Sequence, residues 1–163
     1  MLIKKVVVDA SPFILLCKCD LIGLLPQIFS QIEMPDAVAQ EIIRGNDLAS
    51  QYLFNFEKDW LTRRQADPVS EVLVWNLGDG ETEVLSLAFE DKETIALVDD
   101  RAARRCADTL GVRTLGTGGL LIAAKRRSLI SSVESELDKL ENAGLYLSDD
   151  LRIIILAEAN ELS

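Results

Sequence analysis

Short apolar runs alternate along this chain with longer stretches in which apolar residues recur at helical spacing. The runs at residues 3–8 and 94–98 are rich in β-branched residues and lack polar alternation, as expected of strands buried on both faces. Residues 31–34, 60–64 and 112–114 predict shorter strands, with 60–64 at an edge. Strands alternating with helices predict an α/β fold, a three-layer α/β/α sandwich with a central, mainly parallel sheet of four to five strands.

Helical periodicity fills the segments between these strands. Ser11 is predicted as an N-cap with Pro12 at the first helical position, and Gly111 is predicted to end the helix that follows the second long run. The predicted helices cover residues 12–29 as one helix or two, then 35–43, 46–59, 81–89, 101–110, 120–127, 131–143 and 148–161. Residues 66–76 are predicted as a loop with a helical turn.

The composition is that of an ordinary folded protein. With 163 residues and 48% hydrophobic content, the chain fits one domain over 1–163 that buries roughly two-thirds of its unfolded surface. Its apolar runs fall short of the about 18 residues that a membrane span needs. Lys4-Lys5 followed at once by a strand does not resemble a signal peptide. We therefore expect a cytoplasmic protein with no membrane contact.

The absence of histidine excludes several kinds of catalysis. Ser-His-Asp and Cys-His nucleophiles are ruled out, and so are zinc and iron sites that use His ligands. The three cysteines have no C-x-x-C spacing, and their odd number does not suggest a disulfide framework. Lysine, serine and carboxylate side chains are left as candidate catalytic groups.

Charge is distributed unevenly. A net charge of −10 argues against a protein that coats nucleic acid non-specifically. Basic residues nevertheless cluster at Arg101, Arg104 and Arg105 and again at residues 125–127. The first cluster directly follows a pair of aspartates, which would place positive charge beside them. Solvated helix faces explain each cluster equally well.

Acidic residues follow the two long apolar runs. Asp9 comes directly after the first run, and Asp99 and Asp100 come after the second. Carboxylates at the ends of strands in an open α/β sheet point into the crevice where such folds bind ligands. Converging carboxylates repel one another unless a hard cation such as Mg²⁺ or Mn²⁺ neutralises them. Glu41 and Glu81, on two predicted helices, can add carboxylates from the sides.

Each acid also has a structural explanation. Asp9 could cap the first helix, although Ser11 is better placed, and one of the paired aspartates could cap the helix at Arg101. Glu41 could simply be exposed, and Glu81 in a first turn complements the helix dipole. The combination favours a metal-dependent site for phosphodiester hydrolysis.

This combination resembles the PIN-domain nucleases. The resemblance covers nearly the whole chain, and its specificity comes from the order and spacing of short motifs. The matching stretches are Val6-Val7-Val8-Asp9-Ala10-Ser11, Pro35 through Glu41, Gly80 through Ala88, Leu97 through Arg101, and Gly116-Thr117-Gly118-Gly119-Leu120-Leu121 followed by Lys125-Arg126-Arg127. The last of these resembles a bacterial and archaeal subgroup of PIN-like proteins.

The resemblance implies a function. It implies Mg²⁺- or Mn²⁺-dependent cleavage of RNA, and it suggests a toxin held inactive by an antitoxin protein, with a homodimer as a further expectation. The family often has aspartate where this chain has Glu81, a side chain one methylene longer. The resemblance implies that four acids bind the metal: Asp9, Glu41, Glu81 and Asp100, with Asp99 as the alternative to Asp100. Ser11 and Thr117 would be secondary polar groups that support the metal site. Arg101, Arg104 or Lys125 would hold the RNA backbone.

Three other functions stay open at this point. A receiver-like regulatory domain also gathers acids around Mg²⁺, but its second strand would not end in Met34-Pro35-Asp36. A phosphatase with a strand-end nucleophile resembles D-x-D, whereas this chain has Asp9-Ala10-Ser11 and so lacks the general acid. The third is a PIN-like protein that has lost catalysis and serves as a binding module.

Overall fold

A computed structural model describes residues 1–163, apart from the side chain of Lys58. Its strands form one parallel sheet in the order β3-β2-β1-β4-β5, and helices flank this sheet in an α/β/α sandwich. The predicted fold is therefore confirmed, with 60–64 at an edge. The strands are β1 (Ile3–Val8), β2 (Phe29–Pro35), β3 (Leu61–Arg64), β4 (Thr94–Leu97) and β5 (Arg113–Leu115).

The helices connect these strands and complete the chain after β5. No helix within the described residues is long and apolar enough to cross a membrane. Their bounds are α1 (Ala10–Lys18), α2 (Leu24–Ile28), α3 (Asp36–Gly45), α4 (Leu48–Asp59), α5 (Ser70–Leu73), α6 (Asp79–Glu90), α7 (Arg101–Leu110), α8 (Thr117–Arg126), α9 (Val133–Ala143) and α10 (Asp149–Glu158).

The second half of β1 and most of β4 are buried on both faces, which explains the lack of polar alternation there, whereas Lys4 in the first half of β1 is exposed. Val6, Val7 and Val8 of β1 have no exposed surface, and neither have Ala96 and Leu97 of β4. A parallel sheet covered by helices on both faces requires apolar side chains at successive positions of its inner strands. The two long runs of the sequence thus became the middle of the sheet.

The start of α1 corrects the expectation for Ser11. The helix begins at Ala10, and Asp9 is its N-cap, with Oδ1 accepting a hydrogen bond of 2.9 Å from the Ala10 N–H. Ser11 therefore lies inside the first turn with an exposed side chain, because Asp9 already occupies the capping position.

The start of α8 also differs from its expected position at residue 120. The helix begins at Thr117, whose N–H has a partner in Asp99. This bond satisfies one of the amides that a helix leaves free at its first turn, so helical structure extends back through Gly118 and Gly119.

The strand order reverses between β1 and β4. The chain builds the sheet outward from β1 to β3 and then returns to add β4 on the other side of β1. Val8 pairs with Leu97, and the Asp9 N–H donates to the Leu97 carbonyl at 3.1 Å. The carboxyl ends of β1 and β4 therefore lie side by side at a topological switch point, where open α/β sheets bind their ligands.

Candidate active site

A cleft of about 590 Å³ opens at this switch point. It brings together most of the site residues expected from the sequence, although they come from four separate elements. Among its lining residues are Asp9, Ser11, Glu81, Asp99, Asp100 and Arg101. Because Ser11 does not cap α1, its exposed hydroxyl group is available to this cleft.

Asp9 is the most buried acid of the cleft. It is 5% exposed, and this burial, together with the negative charges of Glu81, Glu41 and Asp99, raises the pKa of its carboxyl from 3.8 to about 7. The hydrogen bond from the Ala10 N–H opposes that shift only in part. Removal from water and nearby carboxylates both disfavour a charged Asp9, and a bound cation would reverse this preference.

Glu41 reaches the same region from α3 without lining the cleft. Gly80, near the start of α6, lies between the two acids: a Cβ atom there would stand 3.6 Å from Asp9 Oδ1 and 4.0 Å from Glu41 Oε2. The same atom would stand 3.3 Å from Val38 Cγ2. The missing side chain at Gly80 leaves open the space that both carboxylates border.

Glu81 enters from the first turn of α6 and is half-buried. Burial, and then the charges of Asp100 and Glu41, raise its pKa, while an interaction with the Gly78 backbone lowers it. Glu81 is therefore close enough to acids from two other elements to feel their charge. The structure brings all members of the implied quartet into one electrostatic neighbourhood.

Asp99 and Asp100 both have additional structural contacts. Both carboxylate oxygens of Asp99 accept hydrogen bonds from Thr117, from its N–H and from its hydroxyl group. Asp100 is the N-cap of α7, where its Oδ2 accepts from the Ala103 N–H at 2.9 Å. Asp99 acts electrostatically on Asp9, and Asp100 acts on Glu81, so each remains a candidate ligand.

The chemistry of these donors fits a hard divalent cation. They are all carboxylate oxygens, the ligands that Mg²⁺ and Mn²⁺ prefer. Within the described part of the chain, however, no three Asp, Glu or Cys side chains stand close enough together to hold an ion as they are placed. The donor set therefore fits the cation, while its side chains are spread apart.

The basic residues differ in their surroundings. Arg101 is exposed and lines both the acidic cleft and a neighbouring groove of about 370 Å³, which Arg104 and Arg105 also line. Arg104 additionally donates to the Val98 carbonyl at 3.2 Å. These three side chains place positive charge beside the carboxylates, as the sequence indicated.

Lys125 lies at the other end of α8 from Thr117. Its ammonium group donates to the Ala159 carbonyl at 2.7 Å and to Glu161 Oε2 at 2.8 Å. These hydrogen bonds connect α8 to the C-terminal residues, so Lys125 has a structural role. Its contact with RNA stays a prediction.

Two further residues near the site were not predicted from the sequence. Glu83 Oε1 accepts from the Ala37 N–H at 3.1 Å and so caps α3, whose own N-cap residue is Pro35. This bond ties α6 to the helix that carries Glu41. Tyr146, in the loop between α9 and α10, lines the cleft. Glu83 belongs to the sequence motif around Gly80, but that motif does not indicate that Glu83 accepts a hydrogen bond from Ala37, 46 residues away.

Comparison with known proteins identifies the family of this chain. A family model described as a PIN domain, DUF3368, matches residues 5–161, which is nearly the whole chain. None of the curated proteins matches it. The chain therefore belongs to the PIN-domain family and has a nuclease-type fold, as its motifs indicated.

Proposed function

We propose that this PIN-domain protein is a metal-dependent ribonuclease that hydrolyses RNA phosphodiester bonds. The observation that supports this most strongly is the buried Asp9 carboxyl, surrounded by acids from three other elements and carrying a pKa of about 7. Carboxylates assembled in this way destabilise one another unless a cation is bound. Such an arrangement is typical of functional sites.

Asp9, Glu41, Glu81 and Asp100 would hold the cation, with Asp99 as the alternative to Asp100. Because the carboxylates are spread apart, binding requires some of their side chains to rotate. Glu41 is exposed and Glu81 is half-buried, so these long side chains have room to move towards the fixed Asp9. When bound, Mg²⁺ or Mn²⁺ lowers the pKa of an attacking water and offsets charge developing on the phosphate.

The chain's own charges also favour metal dependence. A net charge of −10 and a cleft lined by carboxylates repel a phosphodiester backbone in the absence of a cation. Arg101 is the exposed basic residue that lines the cleft itself, so it is positioned to hold a phosphate oxygen at its edge. Arg104 and Arg105 would continue this contact along the neighbouring groove.

The proposal is tested by cleavage of a mixed-sequence RNA, and of DNA with the same sequence, in Mn²⁺, Mg²⁺ or EDTA. We expect RNA cleavage in either metal, none in EDTA and none by Asp9→Asn. Asp20→Asn is the matched control, because Asp20 is exposed and has a φ of 58°, a conformation that asparagine adopts readily. Cleavage that persists in a purified Asp9→Asn sample would refute the assignment.

A second candidate function is a PIN-domain module that binds RNA without cutting it. This alternative requires that the carboxylates do not gather around a cation, and they are not gathered in the described side chains. Calorimetric titration with Mn²⁺ separates the two functions. Binding that is lost in Asp9→Asn supports the nuclease, and the absence of binding by the wild type supports the inactive module.

The finer proposal is that this nuclease is the cytoplasmic toxin of a toxin–antitoxin pair. It depends on the resemblance of the segment from Gly116 to Arg127 to toxin-type PIN proteins. Induced expression in a bacterial host should arrest growth for the wild type and not for Asp9→Asn. The associated homodimer is tested by light scattering, where a monomer would remove that part of the proposal.

A further inference from the structure

A second cleft, of about 330 Å³, adjoins the acidic one. The two share Asp99, Tyr146 and Leu151 among their lining residues, so they form one continuous depression. The acidic part has Asp9, Glu81, Asp99, Asp100 and Arg101 among its lining residues, whereas the second part is mostly apolar. Its apolar side chains include Leu115, Ile122, Leu147, Ile154 and Ile155.

Tyr146 stands where the two clefts meet. Its side chain is 85% exposed, and Leu151 and Ile154 beside it are 44% and 53% exposed. Burial in the core therefore does not explain an aromatic ring at this position. Arg104 also lines the second cleft, so a guanidinium group that can bind phosphate lies close to the apolar surface.

We infer that Tyr146 stacks on an unpaired nucleobase of the RNA, next to the phosphate that lies at the carboxylates. This inference rests on the proposed function, and it adds the side chain that holds a base of the RNA beside the cleavage site. The ring of Tyr146 and the side chain of Leu151 form an apolar surface on which the flat face of a nucleobase can stack. Because the two clefts are continuous, the phosphate of that nucleotide would lie within reach of the carboxylates. A base held in a duplex cannot reach the ring.

The first test compares cleavage of a short single-stranded RNA by Tyr146→Ala and Tyr146→Phe. Loss of one stacked base should lower kcat/KM roughly tenfold in the alanine variant, mainly through KM, whereas phenylalanine keeps the ring and should stay near the wild type. Phe54→Ala is the matched control, because Phe54 on α4 is 59% exposed and is not among the lining residues of either cleft. We expect it to cleave normally.

The second test separates stacking from a merely structural role. Once the cut site is mapped, the nucleotide beside it is replaced by an abasic one, and the difference between the wild type and Tyr146→Ala should disappear on that substrate. An equal loss on intact and abasic RNA, or no loss on either, would overturn the inference. In both cases the wild type still cleaves, so the proposed function would stand.

A third measurement covers a wild type that does not cleave. RNA carrying 2-aminopurine at successive positions is titrated with protein in Mn²⁺, and stacking on Tyr146 should quench the fluorescence at one position for the wild type and not for Tyr146→Ala. Quenching without cleavage would refute the nuclease and retain base stacking at this surface. Quenching that is equal in both proteins, or absent from both, would overturn the inference.

Discussion

Asp99 and Thr117 are joined by two hydrogen bonds, which link the end of β4 to the first residue of α8. The Thr117 N–H donates to Asp99 Oδ1 at 2.8 Å, and the Thr117 hydroxyl donates to Oδ2 at 2.5 Å. Thr117 is fully buried, so water does not compete for its hydroxyl group. Both oxygens of Asp99 are thereby held in one orientation beside Asp9.

Thr117→Val should lower RNA cleavage about tenfold if Asp99 is a metal ligand, because valine keeps the shape and removes the hydroxyl bond that orients the carboxylate. Thr117→Ser should restore activity. The measurement is cleavage rate against Mn²⁺ concentration, with folding followed by thermal unfolding. A folded valine variant with wild-type metal dependence would instead assign the role to Asp100.

Gly80→Ala should remove metal-dependent activity without unfolding the protein. The added methyl group would fill the space between Asp9 and Glu41, while alanine itself is favourable in a helix. Val38 must shift slightly to admit it. We expect at least about tenfold weaker Mn²⁺ binding by calorimetry, since disturbing the groups that surround metal ligands typically costs about 10–100-fold in affinity.

Gly23→Ala is the control for this substitution. A Cβ atom at Gly23 would meet nothing within 4 Å, and its φ of −63° suits alanine. Wild-type Mn²⁺ affinity in Gly80→Ala would show that the gap between the two carboxylates is not where the cation lies.

Asp9→Asn should stabilise the metal-free protein above neutral pH. The folded-state pKa of about 7 exceeds the ordinary 3.8, so between these values the folded protein holds a proton that the unfolded chain has lost. Wild-type stability therefore falls as pH rises through this window, and it stays low above it. Asparagine removes the penalty, which is worth about 2 kcal/mol after allowance for solvent and relaxation.

Urea unfolding in EDTA across this pH range measures the effect. Mn²⁺ should reduce the difference in free energy of unfolding between Asp9→Asn and the wild type, because it stabilises only the wild type. An Asp9→Asn variant that is less stable than the wild type at every pH would show that the carboxylate has a structural role which outweighs its burial.

Glu161 should give the opposite pH dependence. Burial acts to raise its pKa, but hydrogen bonds from Lys125 and from the Val133 and Glu134 amides lower it from 4.5 to about 2. Its contribution to stability is present above its ordinary pKa and is lost as pH falls towards 2. Glu161→Gln should cost about 1–2 kcal/mol at neutral pH and flatten the acid side of the stability profile.

Glu158→Gln, on an exposed residue three positions earlier, is the control and should change stability little. Lys125→Gln should reproduce the loss seen with Glu161→Gln, because the same pair is broken. If Lys125→Gln instead weakened RNA cleavage at unchanged stability, its predicted contact with RNA would be supported.

Local pattern was sufficient for most of the secondary structure. The absence of polar alternation at residues 3–8 and 94–98 predicted strands buried on both faces, and this holds for residues 6–8 and for most of β4. Gly111 ends α7 in the left-handed conformation expected of a C-cap. These features depend on neighbours within a few residues. The boundaries that were wrong, at Ser11 and at the start of α8, depend on which side chain supplies the cap.

Some features of the candidate site were likewise predictable from the sequence, and others were not. The sequence determined that carboxylates follow two inner strands, that histidine chemistry is absent and that a PIN domain is present, because these are properties of residue type and order. Only the tertiary structure decided that β1 and β4 are neighbours, that Glu83 caps α3, that Thr117 holds Asp99 and that Tyr146 stands at the cleft. Each of these depends on contacts between residues distant in the chain, and such contacts are set by how the helices and strands pack together rather than by any local signal.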